Sequence, residues 1–235
     1  MWDVSEPDAK DKGKWLWTSS QELYQIWLNL PGAYKMSSPG AELLEAYDVD
    51  TTSSPSSSQV PEGTTPVVTS KDGSTITTIV CGEHDGIRAP VKCPTNASIL
   101  RIQFTQQQQN NQKQQPSTWT HTLPSAHETA ILYTNKGSIQ IDGQRIPPHH
   151  TVFLSSHGAQ LTITAEGTGE ADLLLLSGEP LREPLASQGS MVMNSESEIQ
   201  QAYMDFQRGF MGVPWSESLT DEEWRDHVKR NPSRY

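Results

Sequence analysis

The sequence predicts a mainly β protein, in which a closed antiparallel barrel or sandwich is followed by two short helices. Between residues 75 and 177, short runs of alternating apolar and polar residues recur, as expected for strands with one buried face. Tight-turn dipeptides such as Asp142-Gly143 separate these runs. Two capping-box patterns with helical apolar spacing follow near the C-terminal end.

The predicted strands fill most of this central region. Thr75–Cys81 suits a strand between two layers, because both of its faces are rich in apolar residues. In residues 99–104, Leu100, Ile102 and Phe104 alternate with polar residues and are expected to point inward. Further strands are predicted at 130–134, 138–142, 151–154, 161–165 and 172–176.

Gly137 is predicted to close a hairpin. Residues 135–137 (Asn-Lys-Gly) separate the predicted strands 130–134 and 138–142. Glycine readily takes the left-handed conformation that a three-residue hairpin loop needs. The two strands are therefore expected to be neighbours in one sheet.

Residues 23–30 (LYQIWLNL) also alternate and are predicted to form a strand that ends at Pro31-Gly32. Its apolar face carries Tyr24, Ile26, Leu28 and Leu30. Residues 41–47 (AELLEAY) are compatible with either one helical turn or a strand. Residues 51–65 and the Gln/Asn-rich stretch 106–115 are predicted loops, and Trp2, Trp15 and Trp17 are expected to dock on the fold.

Two helices are predicted after the strands. Ser195-x-x-Glu198 begins the first helix, whose apolar side carries Ile199, Ala202, Tyr203 and Phe206 and which ends at Gly209. Thr220-x-x-Glu223 begins a shorter helix that reaches about Arg230 before Pro232.

Composition limits the function. The net charge of −11 and the lack of clustered Lys and Arg argue against direct nucleic-acid binding. The two cysteines, Cys81 and Cys93, form no metal-binding motif and are expected to be reduced and buried. No secretory signal and no apolar run of membrane-spanning length is present, so we expect a cytoplasmic or nuclear protein that does not enter membranes.

Several segments together resemble the pirin family. They are SGEPLREP (177–184), MVMN (191–194), EIQQAYMDFQRG (198–209), IPPHHTVFL (146–154) and IWLNLP (26–31) with Lys35-Met36. Pirins are bicupins, which contain two β-barrels, and the resemblance covers residues 23–212. It implies structural roles for Gly178, Glu179, Pro180, Arg182, Glu183, Pro184 and Asn194. Hydrogen bonds and ion pairs within a rigid turn are a better interpretation of Glu179, Arg182 and Glu183 than acid–base catalysis.

The resemblance also implies a division of the chain. Residues 1–36 correspond to a remnant of the N-terminal cupin barrel and 37–66 to a partly disordered linker. Residues 67–186 correspond to the C-terminal cupin barrel, 187–212 to a segment with one helix and 213–235 to a tail with a short helix.

Pirins bind one iron in the N-terminal barrel, on three His and one Glu from a His-x-His motif and a later His/Glu pair. The family's activities are quercetin 2,3-dioxygenase-type ring cleavage and iron-dependent co-regulation of Rel-family transcription factors. This sequence has no His before His84 and no His-x-His, and by register Met1 corresponds to the residue after the last iron ligand. We therefore expect no catalytic residue, metal ligand or cofactor in this chain. A truncated gene model, a fragment and a degenerate paralogue all remain open as explanations.

In the C-terminal barrel, His127 and one of His149 and His150 are the residues that can converge, and two ligands make a poor iron site. His127, Tyr133 and His149 are candidates for lining a ligand cavity. Three functions are compatible with the sequence: a metal-free interaction or structural module, an incomplete iron-binding pirin, and a small-molecule binder. Protein partners such as transcription-factor complexes are expected from the resemblance. Self-association is expected if the Tyr24, Ile26 and Leu28 face is uncovered.

Overall fold

The computed structural model describes residues 23–37, 44–50, 60–105, 116–155, 160–166, 169–211 and 220–230. Two β-sheets pack on each other and enclose the core. The strands of the large sheet are β1 (Glu45–Val49), β2 (Thr64–Thr69), β3 (Thr75–Cys81), β6 (Ala97–Phe104), β8 (Thr129–Lys136), β11 (His150–Leu154) and β13 (Ala171–Gly178). Their order is β1-β2-β3-β6-β13-β8-β11, and every neighbouring pair is antiparallel except β1 with β2.

The small sheet has four strands in the order β10-β9-β12-β7. They are β7 (Thr118–Thr122), β9 (Ile139–Ile141), β10 (Gln144–Ile146) and β12 (Gln160–Ala165). Two short hairpins complete the β-structure: β4 (Glu83–His84) with β5 (Ile87–Arg88), and β14 (Ala186–Gln188) with β15 (Met191–Met193). Helix α1 spans Glu196–Gln207, helix α2 spans Asp221–Arg230, and Gly32–Tyr34 forms a 3-10 turn.

The core lies between the two sheets. The large sheet contributes Ile79, Leu100, Ile102, Leu132, Leu173 and Leu175, and the small sheet contributes Trp119, Ile139 and Ile163. Strand β13 is central in the large sheet, with β6 on one side and β8 on the other. In the described residues, backbone hydrogen bonds do not join the two sheets into one ring. Of the two predicted architectures, the sandwich is the one observed.

The predicted hairpin at Gly137 is wrong. Strand β8 pairs with β11 and β13 in the large sheet, whereas β9 pairs with β10 and β12 in the small sheet. The chain therefore crosses between sheets at Gly137, which has φ +72°. A Cβ at this position would lie 2.1 Å from the carbonyl oxygen of Glu170. The glycine signal was correct for the left-handed turn, but local sequence does not specify which strands pair across it.

The predicted strand at 23–30 is also wrong, because these residues have no regular secondary structure. They lie in an extended path across the outer face of the large sheet. The Asn29 carbonyl oxygen accepts a hydrogen bond from Thr95 Oγ1 at 2.7 Å, and the rings of Tyr24 and Tyr133 meet edge to face at 6.3 Å. The alternation reflects one side that contacts the sheet and one that does not, which does not require strand pairing.

Of the two interpretations of 41–47, the strand is the one observed over its residues 45–47, which belong to β1 and pair with β2, while residues 41–43 lie outside the described residues. Part of the range 37–66 predicted as linker is therefore built into the large sheet. Residues 51–59, the Gln/Asn-rich stretch 106–115 and the three early tryptophans lie outside the described residues.

Both predicted helix starts are confirmed, and the capping box is complete at α2. At α1 the carboxylate bonds the amide one residue before the N-cap. Ser195 Oγ accepts from the Glu198 amide at 3.4 Å, and the Glu198 carboxylate accepts from the Asn194 amide at 3.0 Å. At α2, Thr220 Oγ1 accepts from the Glu223 amide at 3.3 Å, while Glu223 accepts from the Thr220 amide at 2.7 Å. Within the described part of the chain, neither helix is long and apolar enough to traverse a bilayer.

Candidate functional site

Two buried histidines, His84 and His121, form a polar cluster in the core. His121 lies on β7 two residues after Trp119, so both side chains point inward. The Nδ1 atoms of His84 and His121 are 3.2 Å apart. The Trp119 ring stacks on both imidazoles, with centroid distances of 5.0 Å to His84 and 5.5 Å to His121, and its Nε1 donates to Thr77 Oγ1 at 2.9 Å. The cluster therefore combines two ring nitrogens with apolar surroundings.

Burial keeps these histidines neutral at pH 7. Burial is the main cause that lowers the pKa of His121 to about 4, and the neighbouring His84 lowers it further. Burial also lowers the pKa of His84, against the opposing effect of Asp85. A neutral pair joined through Nδ1 needs one donor and one acceptor. The Nε2 atom of His121 is buried and has no hydrogen-bond partner among the described residues.

Iron, which the family resemblance implies for intact pirins, does not fit this cluster. The Nδ1 atoms of His84 and His121 are two convergent donors, and an iron site requires more ligands around an open position. The nearest carboxylate, that of Asp85, lies 3.8 Å from Nε2 of His84, the nitrogen that does not face His121. Among the described residues, no three His, Cys, Asp or Glu side chains form a metal-binding group.

The three residues predicted to line one cavity lie in different places. His127 lies on the wall of a cavity of about 440 Å³ that opens beside β3 and β6. Tyr133 is on the outer face of β8 against Tyr24, and His149 is exposed in a turn with φ +60°. Neither belongs to the cavity wall, so the geometry does not bring the predicted set together.

His127 makes structural contacts. Its Nδ1 is 2.9 Å from Ser177 Oγ and its Nε2 is 3.2 Å from Asn96 Oδ1, so both ring nitrogens have partners. Burial lowers its pKa, and Glu179 opposes that shift. The adjacent Glu128 is exposed and pairs with Arg182, as expected for neighbours that point in opposite directions.

The segment 178–184 and Asn194 connect three parts of the chain. Glu183 accepts hydrogen bonds from the Gly32 amide and from Asn194 Nδ2, both at 2.7 Å, and these bonds lower the pKa of its carboxyl group. Glu179 accepts from Asn96 Nδ2 at 2.8 Å. Arg182 has φ +54°. Gly178 ends β13, and Pro180 and Pro184 bound the turn that follows. This geometry favours the structural interpretation of the motif.

An apolar row crosses the outer face of the large sheet. Strand register places Phe153 beside Ile131, Ile131 beside Leu176, and Leu176 beside Ile99. We call these four residues the outer apolar row. Ile26, Trp27 and Leu28 cover part of it and form with Ile99, Ile131 and Leu176 a groove of about 260 Å³.

The cover is incomplete. The exposed fraction is 77% for Phe153, 67% for Trp27 and 72% for Leu23. Tyr24, Ile26 and Leu28, the side of 23–30 predicted to face the protein, are 39% exposed each. Large apolar side chains thus remain accessible beside the outer apolar row.

Sequence reasoning missed the His84/His121 cluster and the outer apolar row. The spacing Trp119-x-His121 was visible and indicates two side chains on one face of a strand. His84 has no comparable signal, because its approach to His121 depends on how β4 packs. The outer apolar row depends on register across four strands, which alternation within one strand does not give.

The comparisons with known proteins agree with this architecture. The solved structure of quercetin 2,3-dioxygenase from Acinetobacter baumannii superimposes with a TM-score of 0.53 at 22% identity, over 63% of this chain and 48% of that one. The two facing sheets are those of a cupin-type β-sandwich.

Residues 112–212 match the pirin C-terminal cupin domain. Mouse pirin is 31% identical over 196 residues, which is 80% of this chain and 58% of the relative, and human pirin is 30% identical over 192 residues, or 80% and 56%. The chain is similar to pirins, and its residues 112–212 match their C-terminal cupin domain. It spans somewhat more than half the length of these curated relatives.

Proposed function

We propose that this chain acts as a metal-free, non-catalytic pirin-like module that binds other proteins through the outer face of its large sheet. The observation that carries the proposal is the outer apolar row, of which Phe153 is exposed, together with the exposed Trp27 beside it. Exposed apolar groups of this size, when contiguous, mark interaction surfaces more often than inert ones. The resemblance to pirins makes transcription-factor complexes in the cytoplasm or nucleus the expected class of partner.

The position of this surface supports protein binding. Aromatic side chains such as Trp27 and Phe153 provide large contact area and are enriched at the centres of protein interfaces. Burial of apolar surface contributes about 25 cal/mol per Å². Among the described residues, β11 is the last strand of the large sheet, so Phe153 lies at the edge of this face.

The interior supports the non-catalytic part of the proposal. His84 and His121 are neutral and offer two convergent nitrogens, and His127 is saturated by Ser177 and Asn96. Glu183, the carboxylate with the most contacts in the family motif, accepts bonds from Gly32 and Asn194. His127 and Glu183 are thus engaged in structural hydrogen bonds, and the His84/His121 pair is buried and neutral, which supports a structural role over acid–base catalysis.

Self-association of the purified chain tests the surface. Light scattering is expected to show a mass that rises with concentration, because the exposed groups bury one another. Trp27→Ser and Phe153→Ser should shift the equilibrium toward monomer. Phe206→Ser, which removes another exposed aromatic group (59% exposed) from α1, is the control and should not change it. A monodisperse wild-type monomer at high concentration would overturn the proposed role of this surface.

Metal analysis tests the metal-free part. Protein purified in the presence of iron is expected to carry far less than one iron per chain. About one tightly bound iron per chain would contradict the proposal, and His121→Gln would then show whether the core histidines hold it.

A second candidate is an iron-binding pirin of which this sequence is one part. Two findings favour this candidate. The similar solved structure from Acinetobacter is named a quercetin 2,3-dioxygenase, and the chain matches only 58% of the length of mouse pirin. Ring cleavage or iron-dependent co-regulation would then depend on ligands outside this sequence. An in-frame upstream segment encoding His-x-His with a later His and Glu would establish this candidate. A stop codon directly upstream would remove it.

A third candidate is a small-molecule binder that uses the cavity beside His127. Equilibrium dialysis with quercetin as the probe tests it. Weaker binding by His127→Ala than by His150→Ala, an exposed control, would support the cavity, and equal or absent binding would exclude it for this probe.

A further inference from the structure

The two cysteines lie together. Cys81 is the last residue of β3, and Cys93 follows the β4–β5 hairpin, so that twelve positions of chain separate them. Both line the same cavity of about 440 Å³, and both are free thiols. The expectation that both are buried holds for Cys81 but not for Cys93, which is half-buried.

The neighbouring Cys93 affects the ionisation of the Cys81 thiol. Burial is the largest cause that raises the pKa of Cys81 to about 11, and the neighbouring Cys93 raises it further. The Cys81 Sγ also donates to the Ala97 carbonyl oxygen at 3.3 Å. The position of Cys81 is therefore fixed by β6, and Cys93 lies beside it on a loop.

The two thiols differ in access. Cys81 is 7% exposed and held in its protonated form, whereas Cys93 is reachable from the cavity. Arg88, Lys92 and Glu83 also line this cavity. Arg88 pairs with the Glu83 carboxylate at 2.9 Å, so the net positive charge of the lining comes from Lys92. Peroxide oxidises accessible cysteines in preference to buried ones, and a nearby second thiol can resolve the oxidised product.

We propose that Cys81 and Cys93 form a reversible dithiol–disulfide site, which hydrogen peroxide oxidises through the cavity. The Cys93 thiolate attacks one peroxide oxygen, the O–O bond breaks, and the departing hydroxide takes up a proton to become water. The product is Cys93 sulfenic acid. The Cys81 sulfur then attacks the Cys93 sulfur, the S–O bond breaks, and the leaving hydroxide takes the Cys81 proton. Two thiols are oxidised by two electrons, and one peroxide is reduced to two waters.

The disulfide would change one wall of the cavity. It would close a loop that contains Gly82, the β4–β5 hairpin and therefore His84. Gly82 has φ +93°, and a Cβ there would lie 2.2 Å from Ser98 Oγ, so the start of this loop already packs tightly on β6. Restricting the loop should stabilise the oxidised form, because a cross-link reduces the freedom of the unfolded chain.

Intact-mass spectrometry of the folded full chain tests the proposal. Since the sequence has only two cysteines, an intramolecular disulfide can join only this pair. Dilute protein treated with hydrogen peroxide should lose the mass of two hydrogens, remain monomeric and lose both thiols reactive toward Ellman's reagent. Dithiothreitol should restore the mass and both thiols. The melting temperature of the oxidised form should exceed that of the reduced form.

The two single variants show which cysteine reacts with peroxide and which one resolves the sulfenic acid. Cys81→Ser should retain a Cys93 sulfenic acid that dimedone traps, because no resolving thiol remains. Cys93→Ser should leave Cys81 unoxidised under the same conditions. In the wild type, oxygen added to Cys93 with Cys81 still free, a disulfide-linked dimer, or no reaction of the folded chain would each overturn the proposal. Because the wild-type measurement decides the matter, misfolding of a variant would not leave it open.

Discussion

The two faces of the large sheet have similar apolar sequences but different environments. On β13, Leu173 and Leu175 point inward and are 1% and 0% exposed, while their neighbours Leu174 and Leu176 point outward. The inner face is covered by the whole small sheet. The outer face is covered in part by residues 23–30, which lack regular structure. One face stabilises the fold, and we infer that the other is available to a partner.

The largest expected difference in stability is between alanine variants of two neighbouring leucines on β13, one on each face of the sheet. Leu175→Ala should lower the free energy of unfolding by about 2–5 kcal/mol, because it leaves a cavity in the closed core. Leu176→Ala should lower the free energy of unfolding by roughly 1 kcal/mol, because the Leu176 side chain is only half-buried and already contacts water. Urea unfolding measures both values. Equal losses would mean that the outer face is as closely packed as the inner one.

The core histidines add a pH dependence to the inner face alone. The folded pKa of His121, about 4, lies below the unfolded value of 6.5, so its contribution to stability is present above pH 6.5 and is lost as the pH falls toward 4. The loss should reach about 3 kcal/mol, at 1.36 kcal/mol per pKa unit. In the His121→Gln variant, the urea concentration at the unfolding midpoint should vary less with pH over this range. His150→Gln, at an exposed position, should leave the curve unchanged; a flat wild-type curve would show that His121 is not buried neutral.

The crossing between the sheets depends on Gly137. Gly137→Ala should destabilise the protein by more than about 2 kcal/mol, because the left-handed backbone is strained for alanine and the new Cβ meets the Glu170 carbonyl oxygen at 2.1 Å. Gly143→Ala has the same sign of φ but nothing within 4 Å, so only the strain of about 1 kcal/mol should appear. Thermal unfolding of the two variants separates strain from the clash. Equal destabilisation would place the effect in the backbone alone.

The smallest effect concerns the cover of the outer face. Glu183→Ala removes the acceptor of the Gly32 and Asn194 hydrogen bonds that connect residues 23–37 to the C-terminal segment. Because Glu183 is exposed, the midpoint of global unfolding should hardly move. Hydrogen exchange at the Gly32 amide should accelerate, with Glu62→Gln as an exposed control. Unchanged exchange would show that other contacts hold the segment in place.

Local patterns predicted the parts that local physics determines. The inward positions of Leu100, Ile102 and Phe104 follow from the two-residue period of a strand. The starts of both helices follow from side chains that satisfy amides three residues away. The family resemblance, carried by 177–184 and 191–194, was confirmed by the match to the pirin C-terminal cupin domain.

The candidate sites were less accessible to prediction. His127 lines a cavity in the structure, whereas Tyr133 and His149, which were predicted to line the same cavity, lie elsewhere. The sequence could not separate the three, because the distance between residues on different strands is not encoded within either strand. The His84/His121 pair and the Cys81/Cys93 pair each join residues that a sequence spacing cannot bring together. Metal content, partners, localisation and the division into domains stay predictions.

The sequence by itself determined the fold class, the resemblance to pirins and the helix starts, because periodicity, capping and the Gly-Glu-Pro-Leu-Arg-Glu-Pro segment act over a few residues. Tertiary structure alone decided that Gly137 joins two sheets, that residues 23–30 cover a face instead of extending a sheet, and that the outer apolar row exists. These outcomes depend on strand register and on competition among long-range apolar contacts, which are properties of the whole packed chain.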